Sequence, residues 1–142
     1  MKKWMKICLI VLCVVILWEA AAWLWGFRIS PLEVEYIEVC TCVEQYSDHR
    51  VDYAVDYLKL SEDEIWKFVM LHNLSFYTDK FMGDSPPESD GIEIRFKSGR
   101  RMWIDPYRGS RIHVKPGYYV MYNPLLCNYI QQLLAEHNLP AW

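Results

Sequence analysis

The most constraining feature of this chain is its opening after Met1, KKWMKICLIVLCVVILWEAAAWLWGF. Lys2, Lys3 and Lys6 form a positive leader, and the twelve residues Ile7–Trp18 carry no polar side chain beyond the thiols of Cys8 and Cys13. Such a run matches the core of an export signal and is short for a bilayer span by itself. Ala20-Ala21-Ala22 supplies the small residues of a cleavage site, with Trp23 as the new N-terminus. Yet the apolar character continues, and Ile7–Phe27 makes twenty-one residues interrupted only by Glu19. At about 1.5 Å per residue this run reaches roughly 30 Å, the hydrocarbon thickness. Glu19 lies past the middle, where a charge costs less than the ~2.5–3.5 kcal/mol of a central one. Trp4 at one end and Trp23 and Trp25 at the other suit the two interfacial belts. The continuity favours a retained signal-anchor over residues 1–28, and removal after Ala22 with secretion is the alternative.

Both fates give the same address. Three lysines precede the run and only Arg28 follows closely, so the positive-inside rule leaves the N-terminus in the cytoplasm. Residues 29–142 then form a domain outside the cell membrane of a bacterium, on a single-pass tether. Leu12 before Cys13 is not the small residue a lipid-attachment site needs.

That domain is long enough for one hydrophobic core. Beyond the opening segment only Cys40, Cys42 and Cys127 remain, and an odd number cannot close a disulfide framework. Cys40 and Cys42 share one face of a strand. Either could meet Cys127 in an oxidising compartment, against the plainer reading of three buried thiols. Charge is distributed unevenly. Glu33–Gly91 holds 14 acids and 4 bases, whereas Ile92–Lys115 holds 2 acids and 7 bases.

LEVEYIEVCTCVEQ reads as a strand whose alternation slips between Tyr36 and Ile37, which predicts a bulge. SDHR is a turn, and VDYAVDYL alternates cleanly as the second arm of a hairpin. Ser61 and Glu64 form a capping box at the start of a helix, with Ile65, Val69, His72 and Phe76 at helical spacing and Trp66, Met70 and Tyr77 beside them. After the loop GDSPPESDG comes a second hairpin, IEIRFKSGRRMWI. A three-residue Lys97-Ser98-Gly99 loop with Gly99 left-handed pairs Phe96 with Arg100. Ile92, Ile94, Met102 and Ile104 then share one face, and Glu93, Arg95, Arg101 and Trp103 the other. RIHVK and YYVMY are two further strands. Asn123 and Pro124 cap and open a last helix, which Asn138 and Pro140 end. The predicted fold class is α+β: an antiparallel sheet in the order β-β-α-β-β-β-β-α, two helices on one of its faces, preceded by the signal-anchor helix.

No motif for catalysis, a metal or a cofactor stands out. His49, His72, His113 and His137 lie far apart, and the C-x-C pair is a weak metal signal. There is no nucleophile elbow, no phosphate-binding loop and no dinucleotide fingerprint. The chain is therefore expected not to be an enzyme and to need no cofactor, and nothing in it points to nucleic acid. A basic surface remains: Arg95, Arg101 and Trp103 on the outer hairpin face, His113 and Lys115 on the next strand, with Lys97, Arg100 and Arg108 near the loops. Arg and Trp are the residue types in which interfaces concentrate energy. The leading expectation is a membrane-tethered binding or sensing module whose partner is an anionic surface or an acidic protein. The plain alternative for those charges is a solvated face with cross-strand Arg–Glu pairing. Two other functional readings are an exported inhibitor or immunity-type protein, and a small hydrolase built on Cys42 and His49.

Overall fold

The structure is a computed structural model that describes residues 3–24, 26–47, 50–80, 91–107, 111–115 and 119–141. Helix α1 spans Lys3–Leu24 and is apolar on every side; of its residues only Ala22 is buried. It is long and apolar enough to span a membrane or to serve as a signal sequence. It ends abruptly. Gly26 is left-handed at φ 76°, Gly26 N–H donates to the Trp23 carbonyl at 3.1 Å, and Phe27 N–H to that of Ala22 at 2.9 Å. This is a Schellman cap, so the apolar run outlasts the helix and its last residues turn toward the domain.

After a 3-10 turn at Pro31–Glu33 come strands β1 (Val34–Ser47) and β2 (Arg50–Lys59). Helix α2 (Glu62–His72) follows, then β3 (Phe76–Lys80), β4 (Gly91–Phe96), β5 (Arg101–Tyr107), β6 (Arg111–Lys115), β7 (Tyr119–Tyr122) and α3 (Pro124–Glu136). The class is α+β with an open antiparallel sheet. Strands β2-β1-β4-β5 lie side by side from one edge, and β6, β7 and β3 continue the ladder from β5.

Several local rules hold residue by residue. Ser47 pairs with Arg50 across the first hairpin. In the second, Gly99 has φ 84°, and Phe96 N–H donates to the Arg100 carbonyl at 3.0 Å. Ile94 faces Met102, Ile92 faces Ile104, Glu93 faces Trp103 and Arg95 faces Arg101. The bulge in β1 falls between Val34 and Tyr36, slightly earlier than the sequence pattern suggests. At α2, the Glu64 carboxylate accepts from both the N–H and the hydroxyl of Ser61, at 2.6 and 2.7 Å. Ser61→Ala is expected to cost about 1 kcal/mol in denaturant unfolding. A change of only a few tenths would mean this cap contributes little.

The expected order lacked one strand. Helix α2 stops at His72, and Phe76 and Tyr77 are not on its apolar face but in β3, opposite Tyr122 and Met121. Asn73 N–H still bonds the Val69 carbonyl, but the next two amides bond back only three residues, which tightens and ends the helix. The aromatic run beyond Ser75 then meets a free strand edge, and tertiary pairing overrides the helical spacing. Val69 and His72 are buried on α2 as their spacing predicts, Ile65 packs partly buried against the core and Phe68 joins them, while the flanking Trp66 and Met70 are exposed.

One core joins these elements. Ile37 and Val39 of β1, Ile92, Ile94 and Phe96 of β4, and Met102 and Ile104 of β5 pack with Phe68 and Val69 of α2. Leu126, Ile130, Leu133 and Leu134 of α3 complete it. Cys127 is part of this core, and burial raises its thiol pKa. Cys40 and Cys127 are both buried, and no disulfide joins them. Cys40 sits on the opposite sheet face, in register with Gly91 and Tyr57, which explains why the two do not meet.

Candidate functional site: the outer sheet face and the helix–domain junction

Of the basic sheet surface expected from the sequence, the described side chains are those of Arg95, Arg101 and Trp103. Arg95 and Arg101 are cross-strand neighbours on the outer face, and Trp103 pairs in register with Lys115 one strand further on. His113 stands opposite Asp105 on the same two strands. For His113 and Lys115 the backbone register is described; their side chains, like Arg108, His49 and the side chain of Cys42, lie outside the described residues.

The face is not a purely cationic one. Arg101 Nε lies 3.7 Å from Glu93 Oε1, an ion pair whose arginine is two-thirds exposed and therefore weakly stabilising. Glu38 is in register with Glu93, and Lys59 stands over the Tyr36 ring at 5.1 Å. Burial pushes the Tyr36 hydroxyl pKa up, Glu93 and Glu38 add to the rise, and Arg95 opposes it. Carboxylates thus alternate with the arginines. Trp103 packs over Gly91, where an added Cβ would meet the indole at 2.5 Å. That contact holds the ring by packing.

A second assembly, absent from the sequence reading, lies where α1 meets the domain. Arg28 is buried, and its Nε and second terminal nitrogen donate to the two oxygens of Glu19 at 3.1 and 2.9 Å. Its remaining terminal nitrogen donates to the Ser75 carbonyl at 3.1 Å. Beside it Asn73 clamps the backbone of Ile29 from both sides, accepting from its N–H at 3.0 Å and donating to its carbonyl at 2.8 Å. Asn123, the N-cap of α3, accepts from Leu126 N–H at 2.9 Å while donating to the Leu71 carbonyl at 2.6 Å and the Ser75 hydroxyl at 2.8 Å. Ser75 in turn donates to the His72 carbonyl. A continuous polar network therefore runs from Glu19 in α1 through Arg28 and Ser75 to the start of α3.

His72 is enclosed in this network. It is fully buried, stacks with Phe68 at 6.3 Å between ring centroids, and lies 3.4 Å from Asn73 Oδ1 through Nδ1. Burial pushes its pKa down to about 4; Asn73 pulls against that and the nearby Arg28 charge adds to it. At the far end of α2, burial works against the Glu64 carboxylate, but hydrogen bonds from Ser61 and His137 hold it below the usual carboxylate range. Tyr129 beside it is pushed up to about 12 by burial, then by Glu64 and Glu136.

The signal missed in the sequence was the pair formed by a lone acid in an apolar run and the first base after it, nine residues apart. That spacing is not a helical neighbour distance, so only the turn at Gly26 brings the two together. Among the described residues no group of three His, Cys, Asp or Glu side chains is placed to hold a metal ion. No protein-family model matches the chain, and neither does a curated protein or a solved structure.

Proposed function

We propose that the chain is a single-pass, membrane-anchored binding or sensing module, with its N-terminus in the cytoplasm and its α+β domain held against the outer surface. On this reading helices α2 and α3 cover one face of the sheet and the other face is left for a partner. The observation that carries the anchor is the Arg28–Glu19 pair. Cleavage after Ala22 would remove Glu19 and strip the Arg28 guanidinium, buried in the uncut chain, of the carboxylate that matches its charge, and breaking a buried ion pair by removing one partner is destabilising. A signal peptide destined for removal has no reason to be built into the mature fold in this way. The all-round apolar surface of α1 also suits lipid better than water.

Intact mass of the membrane-extracted protein tests the anchor. A chain retaining residues 1–22 is expected, and a mature protein starting at Trp23 would overturn it. The partner on this reading is anionic, either a charged surface or an acidic protein, and it meets Arg95, Arg101 and Trp103. Full-length protein in zwitterionic nanodiscs is expected to bind a soluble polyanion such as polyglutamate in low salt and to lose it in high salt. Arg95→Glu/Arg101→Glu should abolish that binding. Equal binding by both proteins would remove the outer face from the proposal.

A further inference from the structure

A cleft of about 520 Å³ opens between the end of α1 and the β4–β5 turn. Its walls include Trp23 and Gly26 from the helix end, Leu32 and Glu33 from the 3-10 turn, and Lys97 and Arg100 from the hairpin. The hairpin is docked there rather than free. Lys97 N–H donates to the Glu33 carbonyl at 2.9 Å, and the Arg100 guanidinium lies over the Phe96 ring at 4.1 Å. Gly26 lets that guanidinium approach, since a Cβ on Gly26 would stand 3.2 Å from Arg100 Nη1.

The side chains have two characters. Trp23 and Leu32 are exposed apolar groups, and Leu24, next to Trp23 in the chain, is almost fully exposed. Lys97 and Arg100 are exposed cations, and among the described residues neither forms an ion pair. The third cation, Arg28, is already matched by Glu19. With Glu33 counted against them, the two turn residues leave a small net positive charge. Apolar and cationic walls in one cleft, at the end of a membrane-length helix, suit the interface itself. There Trp seeks the headgroup level and basic side chains reach lipid phosphates.

We infer that this cleft holds the headgroup phosphate of an anionic phospholipid of the outer leaflet, with Arg100 and Lys97 on the phosphate and Trp23 and Leu32 against the glycerol and upper acyl region. The inference rests on α1 remaining in the bilayer. It concerns a different surface from the outer sheet face: Arg95 and Arg101 point away from the core one residue pair above the turn, and neither lines the cleft.

The test uses full-length protein in nanodiscs of equimolar phosphatidylcholine and phosphatidylglycerol, released into the gas phase for native mass spectrometry, which counts retained lipids and reports the intact chain mass together. Near an anionic surface one basic side chain is worth about fivefold in partitioning, so two of them opposed by Glu33 predict about fivefold to tenfold more retained phosphatidylglycerol than phosphatidylcholine. Lys97→Glu, an exposed change that leaves the Arg100–Phe96 contact intact, should erase the preference. Lys97→Gln/Arg100→Gln should do the same, and Arg101→Gln should keep it. An unchanged preference in Lys97→Glu, or displacement of the retained lipid by glycerol phosphate in solution, would overturn the lipid site. A mass beginning at Trp23 would instead overturn the anchor beneath it, so the two failures are separable.

Discussion

Acidification from neutral pH to about pH 4.5 is expected to destabilise the domain by on the order of 2–3 kcal/mol through His72. The folded protein holds this imidazole neutral, with its pKa lowered from 6.5 to about 4 because it is buried. The unfolded chain binds a proton through that interval while the folded one does not, so stability rises with pH between about 4 and 6.5. His72 therefore costs nothing above the unfolded pKa, and its penalty grows as pH falls toward the folded one. Glu64 titrates in a lower window. Its pKa is depressed, so its contribution is present above the unfolded value and is lost as pH falls through the folded one. Urea unfolding in zwitterionic micelles, followed by near-ultraviolet circular dichroism, reads the slope. His72→Phe keeps a ring against Phe68 and removes the proton site. The variant should be flat where the natural protein slopes, and matching slopes in the two would show that another group carries the effect.

Asn123→Ala should cost about 3 kcal/mol. Asn123 is buried and makes three hydrogen bonds with one amide: an N-cap to Leu126 and donations to Leu71 and Ser75. Loss of the cap costs about 1 kcal/mol. Each orphaned buried acceptor adds about 1 kcal/mol more. Asn123→Asp separates the parts, because aspartate caps a helix as well as asparagine but cannot donate. If capping were the whole role, Asp would be nearly neutral. The geometry predicts instead that Asp loses at least half of what Ala loses, since a carboxylate would face the Leu71 carbonyl. A neutral Asn123→Asp variant in the same unfolding experiment would reduce the residue to a cap.

The parts of the fold legible in the sequence are those set by neighbours along the chain. The Ser61–Glu64 box, the Asn123 cap and the left-handed Asn138 at the end of α3 each satisfy helix-end groups within a few residues. Gly99 likewise sets the second hairpin, because a one-residue slip would carry Glu93 and Arg95 into the core in place of Ile92 and Ile94. What failed was inference over longer distances. Phe76 continues the spacing of α2, and nothing local shows that the exposed edge of β7 will take it as a strand.

The candidate site divides in the same way. Residue types and alternation placed Arg95, Arg101 and Trp103 on one face without a structure. Whether that face is free depended on Glu93 reaching Arg101 and on Gly91 lying beneath the indole, which are contacts across strands. The sequence by itself determined the apolar helix, the caps and the hairpin register, since each follows from periodicity or from hydrogen bonds that close within one turn. Only the tertiary structure decided that Glu19 and Arg28 form a pair anchored on Ser75, and that His72 is sealed neutral beside them. Those outcomes depend on which distant groups share a volume from which water is excluded, and desolvation has no signature in a linear pattern.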